Sequence, residues 1–250
     1  MYILGDIGNT DIKICVYNTK FKLLKKKIFQ NSLNNDINLN KNLSFIIKNK
    51  KKIKKILFSS VTPLSFLKIK KFLFKNTNIQ TVEVKDVKFS NLINIKINQK
   101  QVGSDRIANA IAIKDDKNNY IVVDFGTATT FDIIKKKDYL GGVIAPGLKL
   151  SLETLSKKAS LIPKINFSKT KKIIGTDTNS AVKSGFYWGY TGLIDNIVKL
   201  INKKYKNSFV IVLTGGYSHL FKNIIKGKVK VEKDLIFKGL LKILKKNLLK

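Results

Sequence analysis

The sequence predicts a mixed α/β protein made of two related lobes, and three observations carry that expectation. An apolar strand, an Asp-x-Gly turn and a second apolar strand occur at the start, YILGDIGNTDIKICVY from Tyr2, and again at YIVVDFGTATTFDIIK from Tyr120. A third strand pattern, FVIVLTGG over 209–216, also ends in a glycine turn. Neither dominant phosphate-binding signature, GxxxxGK(S/T) or GxGxxG, is present, which removes the P-loop and dinucleotide-binding folds.

The elements follow in order. Residues 2–5 and 12–18 are apolar and bracket GDIGNTD, so they read as strand, turn and strand. The segment from Phe21 to Phe29 adds a third strand, whereas 31–55 is so rich in Asn and Lys that periodicity is lost. ILFSSV (56–61) reads as a buried strand, Pro63 opens a helix to about Lys75, and TVEV (81–84) is a further short strand. From Ser104 the spacing is helical, with Ile107, Ala110 and Ile111 on one face and Ser104 placed as N-cap. Beyond the second Asp-x-Gly unit, GGVIAPG (141–147) reads as a connection into a helix ending near Lys158. A longer helix, broken by Gly185 and Gly189, is expected from Asn179 to Lys204, and residues 236–248 read as an amphipathic helix. The repeat places the lobe boundary near residue 118, with lobes 1–117 and 118–250.

Composition narrows the setting. Hydrophobic residues make up 44% of the 250, enough for a packed core. No run reaches the roughly 18 apolar residues of a membrane helix, so no membrane partner is expected. The single cysteine, Cys15, excludes an internal disulfide. MYILGDIGNT lacks the basic start and cleavage site of a signal peptide, and the cytoplasm is the expected compartment. The formal charge of +33 raises nucleic acid as a partner, but the lysines run from Lys20 to Lys250 without clustering. They accompany many Asn, Ile and Phe residues, which share A/T-rich codons, so base-composition drift suffices as a cause. Against that background the chain holds one arginine, Arg106. Lysine replaces arginine as a point charge but lacks the planar fork that grips a carboxylate twice.

The two turns suit phosphate chemistry. In the first, Asp6-Ile7-Gly8-Asn9-Thr10 with Lys13 behind, glycine lets backbone approach an anion and Asn and Thr add donors. A carboxylate such as Asp6 repels phosphate directly, so it acts through Mg²⁺ or its water shell. The second turn, Asp124-Phe125-Gly126-Thr127, repeats that chemistry, and Thr214-Gly215-Gly216 suits close approach by a ribose or base. These features fit duplicated actin-like (RNase H-like) lobes with mixed sheets and ATP in the inter-lobe cleft, the architecture of actin, hexokinase and the Hsp70 chaperones.

DIGNTDIK, VGSDRIANAIA, VVDFGTATTFDII, GGVIAPG, IGTDTNSAVKSG and VLTGG occur in the order and spacing of the type III pantothenate kinases, and the chain resembles that family from Asp6 to Gly216. The resemblance implies ATP-dependent phosphorylation of pantothenate to 4'-phosphopantothenate, the first step of coenzyme A biosynthesis. It implies Mg²⁺, a monovalent cation such as K⁺ or NH₄⁺, and a homodimer. Asp6, Ile7, Gly8, Asn9, Thr10, Asp11, Ile12 and Lys13 would hold ATP phosphates and Thr127 the nucleotide. Asp124 would bind the monovalent cation. Gly103, Ser104, Asp105 and Arg106 would contact pantothenate, with Asp105 as proton acceptor, and Thr178 would reach that site from the neighbouring subunit. The residues agree: a hydroxyl attacking a γ-phosphate needs a positioned base, and Arg106 offers its fork to a substrate carboxylate. Where the family carries Tyr-x-Asn-Pro before this loop, the chain reads Lys96-Ile97-Asn98-Gln99.

Two other readings stay open on the sequence: a kinase of another small carboxylate-bearing alcohol, and a non-catalytic accessory factor associated with nucleic acid. His219, the one histidine, has no second His or Cys beside it and reads as a surface residue. Phe186, Tyr187, Trp188 and Tyr190 read as core or dimer packing, or as lining of the substrate site.

Overall fold

Strand pairing starts from the first turn. In the computed structural model, which describes residues 1–31 and 36–249, β1 (Tyr2–Ile7) folds back on β2 (Asp11–Tyr17) and β2 on β3 (Leu23–Gln30), all antiparallel. The chain then forms α1 (Asp36–Lys48), β4 (Lys55–Ser60), α2 (Pro63–Thr77) and β5 (Thr81–Glu83). β4 lies parallel to β1 and β5 parallel to β4, giving the order β3-β2-β1-β4-β5. Ile3, Ile7, Ile12, Ile14, Ile56 and Phe58 of this sheet bury against Leu43 and Ile46 of α1 and Phe66, Ile69 and Leu73 of α2. Each such side chain contributes roughly 1.5–3 kcal/mol relative to exposure. α2 is bounded as its sequence requires, with Pro63 in its first turn and Asn78 left-handed at its end (φ 58°).

After a short strand β6 (Asn94–Ile95) and α3 (Ser104–Ile113), the pattern is repeated. β7 (Asn119–Phe125), β8 (Ala128–Lys135) and β9 (Asp138–Pro146) are antiparallel neighbours, and β10 (Val210–Gly215) and β11 (Val229–Val231) continue in parallel, in the order β9-β8-β7-β10-β11. Between them come α4 (Leu148–Lys158), the long α5 (Thr178–Tyr205) and the short α6 (Ser218–Phe221). Ile121, Val123, Phe131, Ile211 and Leu213 pack on Tyr187, Ile194, Val198 and Ile201 of α5. Phe221 stacks on Phe125 at 5.0 Å and on Tyr187 at 5.6 Å.

The chain divides into two compact units, Met1–Ile113 with Leu235–Lys250, and Lys114–Asp234. This differs from lobes of 1–117 and 118–250 at the C-terminus, because α7 (Leu235–Ile243) returns to the first unit. Gly239 there lies so close to the Ala108 backbone of α3 that a Cβ would collide with it. Lys242 donates to the carbonyls of Ile111 (3.3 Å) and Ala112 (2.6 Å), closing the C-terminal end of α3.

Four other expectations change. Residues 141–146 belong to β9 rather than to a connection; a bulge at Ile133/Ile134 and the positive φ of Gly141 (115°) let the glycine pair continue the ladder. α5 runs unbroken through Gly185 and Gly189, where nothing lies within 4 Å of a notional Cβ. Each glycine costs about 1 kcal/mol of helix propensity, which the buried face of α5 offsets. Within the Asn/Lys-rich stretch, α1 forms because Leu39, Leu43 and Ile46 share one face. The N-cap of α3 is Gly103, whose carbonyl accepts from Ile107 N at 3.1 Å, and Ser104 is the first helical residue.

Candidate active site

In unit 1 the candidate residues gather at the carboxyl ends of the parallel strands β1, β4 and β5, where ligands of open α/β sheets bind. Asp6 sits near the end of β1, opposite Lys13 of β2, and the two form an ion pair of 3.7 Å. Gly8 N donates to Asp11 O at 3.0 Å and closes the turn, leaving Asn9 and Thr10 exposed at its tip. Ile7 and Ile12 flank this tip but send their side chains into the core, so only their backbone can face a ligand.

A residue not anticipated from the sequence clamps the turn. Asn31 donates from its side chain to Gly8 O (2.7 Å) and Thr62 Oγ1 (3.3 Å), and from its backbone to Thr10 O (2.8 Å). Ser65 donates in turn to Asn31 Oδ1 at 3.0 Å. The end of β4 is thereby fastened to the turn, and Val61 N adds a bond to Ile7 O at 3.1 Å.

The same strand end holds the second group of candidates. Ser104 Oγ donates to Ser60 O (2.7 Å) and accepts from Ser60 N (2.9 Å), and the residue is fully buried. Its hydroxyl is thereby tied to the end of β4. Asp105 follows in the first turn of α3. Its carboxylate folds back over Gly103 and accepts from Arg106 N at 2.8 Å, and a Cβ on Gly103 would collide with it. Burial pushes the Asp105 carboxyl above its ordinary range, and the backbone bond and charge of Arg106, with Lys85 beside it, offset part of that. Arg106 is half-buried, and its charge faces Asp105.

Unit 2 presents the counterpart at the ends of β7 and β10. Thr214 lies beside Asp124 and Gly215 beside Phe125 in parallel register. Gly215 takes a positive φ of 85°, and a Cβ there would stand 2.6 Å from both Asp124 Oδ1 and Phe125 O. Only glycine leaves the Asp124 carboxylate and that carbonyl room to converge. Gly216 N donates to Phe125 O at 3.2 Å and Ser218 to Gly215 O at 2.8 Å, locking the glycine turn. Thr127 is exposed.

Thr178 is exposed in the first turn of α5, beside a capping box formed by Asp177 and Ser180. The aromatic cluster of α5 packs within unit 2. Tyr187 is in the core, Trp188 Nε1 donates to Lys172 O at 3.2 Å, and Tyr190 donates to Pro146 O at 3.0 Å. His219 is exposed.

Metal capacity follows from the donors. Among the described residues no group of three or more His, Cys, Asp or Glu could hold a metal ion. A single carboxylate such as Asp6, already in a cation's field, fits an ion held chiefly by phosphate oxygens and water. The two oxygens around the missing Cβ of Gly215 fit a hard cation with oxygen ligands.

Solved structures resemble this fold over nearly its whole length. A putative 2-dehydro-3-deoxygalactonokinase from Sinorhizobium meliloti matches with a TM-score of 0.62 at 9% identity, covering 98% of each chain. A conserved putative Baf family transcriptional activator from Campylobacter jejuni matches with a TM-score of 0.61 at 24% identity, covering 97% of each. Two sheets of one repeated strand order, each presenting an Asp-x-Gly turn, make this a protein of the actin-like ATPase and sugar-kinase fold class. Residues 2–200 match the family model described as type III pantothenate kinase. A protein so named from Pelagibacter ubique is 54% identical over 242 residues, 97% of this chain and 98% of that one. The chain belongs to the type III pantothenate kinase family.

Proposed function

We propose that the chain transfers the γ-phosphoryl group of ATP to the primary hydroxyl of pantothenate, giving 4'-phosphopantothenate, the first step of coenzyme A biosynthesis. Family membership supports this reading, and one observation of the structure supports it most. Within unit 1 the Asp6 turn and the Asp105 loop are both fastened to the end of β4, through Asn31 and Thr62 on one side and Ser104 on the other. A phosphate-binding turn and a base are thereby held to one strand end, as in-line transfer to a hydroxyl requires.

Asp105 takes the proton of the attacking hydroxyl as the new O–P bond forms and ADP departs. Burial raises its proton affinity, which strengthens it as a base. Arg106 binds the substrate carboxylate with two parallel hydrogen bonds, and Gly103 admits the substrate by backbone approach. The turn from Asp6 to Lys13 binds the ATP phosphates, Lys13 and the exposed Asn9 and Thr10 toward the anion, and Thr127 binds the nucleotide. Mg²⁺ beside Asp6 supplies charge neutralisation on the phosphates when bound. Asp124 with Phe125 O holds the monovalent cation, K⁺ or NH₄⁺.

The active form is a homodimer in which Thr178 reaches the pantothenate of the neighbouring subunit. Exposed Leu161 (89%), Ile174 (78%) and Ile173 (66%) on unit 2 support such a surface. No helix among the described residues is long and apolar enough to cross a membrane, which accords with a cytoplasmic enzyme. A nucleic-acid role has less support, since the lysines are spread along the chain from Lys20 to Lys250.

A coupled ADP-release assay over a panel of small hydroxy acids, in K⁺ and in Na⁺ buffer, tests the reading. Pantothenate should give the highest kcat/KM and K⁺ the higher rate. Preference for another acceptor, or no turnover with any, overturns the substrate assignment, and equal rates in the two buffers overturn the cation assignment.

A further inference from the structure

One buried acid stands outside the chemistry above. Glu83 closes β5 with 9% of its surface exposed, on a chain whose carboxylates are outnumbered 16 to 49 by basic residues. Glutamate is rarely buried so far unless its oxygens are satisfied. Here each oxygen is met by a backbone donor. Oε1 accepts from Ser60 N at the end of β4 (3.3 Å), and Oε2 accepts from Lys85 N in the turn after β5 (2.5 Å). Ser60 N is shared with Ser104 Oγ (2.9 Å), at the first residue of α3, so the carboxylate and that hydroxyl meet at one donor.

An apolar side chain would fill this place at less desolvation cost. What it could not do is accept both bonds at once in one geometry, and each donor leads toward the site. Ser60 adjoins the segment that fastens the Asp6 turn. Ser104 is bonded covalently to Asp105. Lys85 faces Asp105 with its charge, and its Nζ donates to Lys100 O at 3.3 Å, bracing the turn that precedes Gly103. Burial pushes the Glu83 carboxyl up, and the bonds from Lys85 and Ser60 offset part of that.

We propose that Glu83 is a positioning residue for phosphoryl transfer, holding the start of α3, and with it Asp105, against the ends of β4 and β5. The proposal rests on the reading of Asp105 as the base. It makes Glu83 act through Asp105 rather than on substrate, and this separates it from a residue that merely stabilises the fold.

The test is a double-mutant cycle on the full-length enzyme, read as kcat per folded active site with ATP and pantothenate. Glu83→Gln keeps the shape but turns one acceptor oxygen into a donor facing an N–H. It should lower kcat by about 10- to 100-fold, the scale of a misplaced catalytic group, while both KM values change by less than about three-fold. In an Asp105→Asn background, which has no base left to misplace, Glu83→Gln should cause no further loss. Equal losses in both backgrounds, or an unchanged kcat in the single variant, overturn this proposal alone. Wild-type turnover in Asp105→Asn removes the base reading and this proposal with it. Should Glu83→Gln not fold, Ser104→Ala, which removes the hydroxyl that shares Ser60 N with Glu83, should show the same dependence on Asp105, and equal losses in both backgrounds overturn the proposal.

Discussion

In unit 1 the Asp-x-Gly turn is clamped by one side chain from outside its own hairpin and by an ion pair within it. Asn31 spans Gly8 and Thr62, and Lys13 pairs with Asp6 across the strands. In unit 2 the equivalent turn is closed by backbone. Gly215 approaches Asp124 and Phe125 closely, and Gly216 N bonds Phe125 O. The strand order is the same in both, so the repeat specifies where an acidic turn stands but not how it is held. A turn held by side chains can be tuned for chemistry at modest cost in stability. One held by backbone approach ties its geometry to stability, because any added atom has to displace main chain. Unit 1 also carries Asp105 and Arg106, on the short α3.

The largest expected effect falls on unit 1. Asp105→Asn should leave folding and ATP affinity near wild type and lower kcat by about 10² to 10⁴, since only the proton acceptor is lost. Steady-state kinetics checks this, and a wild-type rate removes Asp105 as base. Next comes Arg106→Lys, which keeps charge but loses one charge-assisted bond of about 1.5–3 kcal/mol. It should lower kcat/KM for the acceptor by about 10- to 150-fold with little change in KM for ATP. Equal losses for both substrates would mean that the arginine does not grip the carboxylate.

The two turns can then be compared directly by thermal unfolding and kinetics. Gly215→Ala must adopt a positive φ and meet Asp124 and Phe125, so it should destabilise by about 1–3 kcal/mol. Gly8→Ala meets Asp11 O at 3.1 Å, and its stability should stay within about 1 kcal/mol of wild type while kcat/KM for ATP falls. If Gly8→Ala proves the more destabilising, the contrast between side-chain and backbone closure fails.

The smallest effect concerns the segment that opens unit 2. Burial pushes the Asp115 carboxyl up, but Tyr120 Oη, Asn118 N at 2.6 Å and Lys117 N at 2.8 Å outweigh it and hold it well below its ordinary range. A depressed pKa contributes stability that is present above the unfolded value, near 3.9, and is lost as pH falls through the folded one. Asp115→Asn should therefore lower Tm at pH 6–7, with the gap to wild type closing below about pH 4. A gap that is constant with pH would assign the loss to packing instead.

What is local can be read from the residues in chain order. Each acidic turn lies between two strands adjacent in the chain, so the Asp6 and Asp124 hairpins, the glycine turn at Gly215 and the Asp105–Arg106 pair at a helix start could all be read from short windows. The uniqueness of Arg106 was legible for a different reason, since a composition that favours lysine everywhere makes one retained guanidinium conspicuous. What depends on partners far along the chain emerges only when the strands are brought together. Asn31 becomes a clamp, and Glu83 an acceptor for Ser60 N, only once β4 lies beside β1 and β5 beside β4. Ser104 turns from a helix cap into a brace because Ser60, 44 residues earlier, offers it both a donor and an acceptor. α7 joins the first unit because Gly239 admits the backbone of Ala108. Backbone preference and hydrophobic period act over a few residues, whereas a buried polar group is satisfied by whichever donor the fold brings to it.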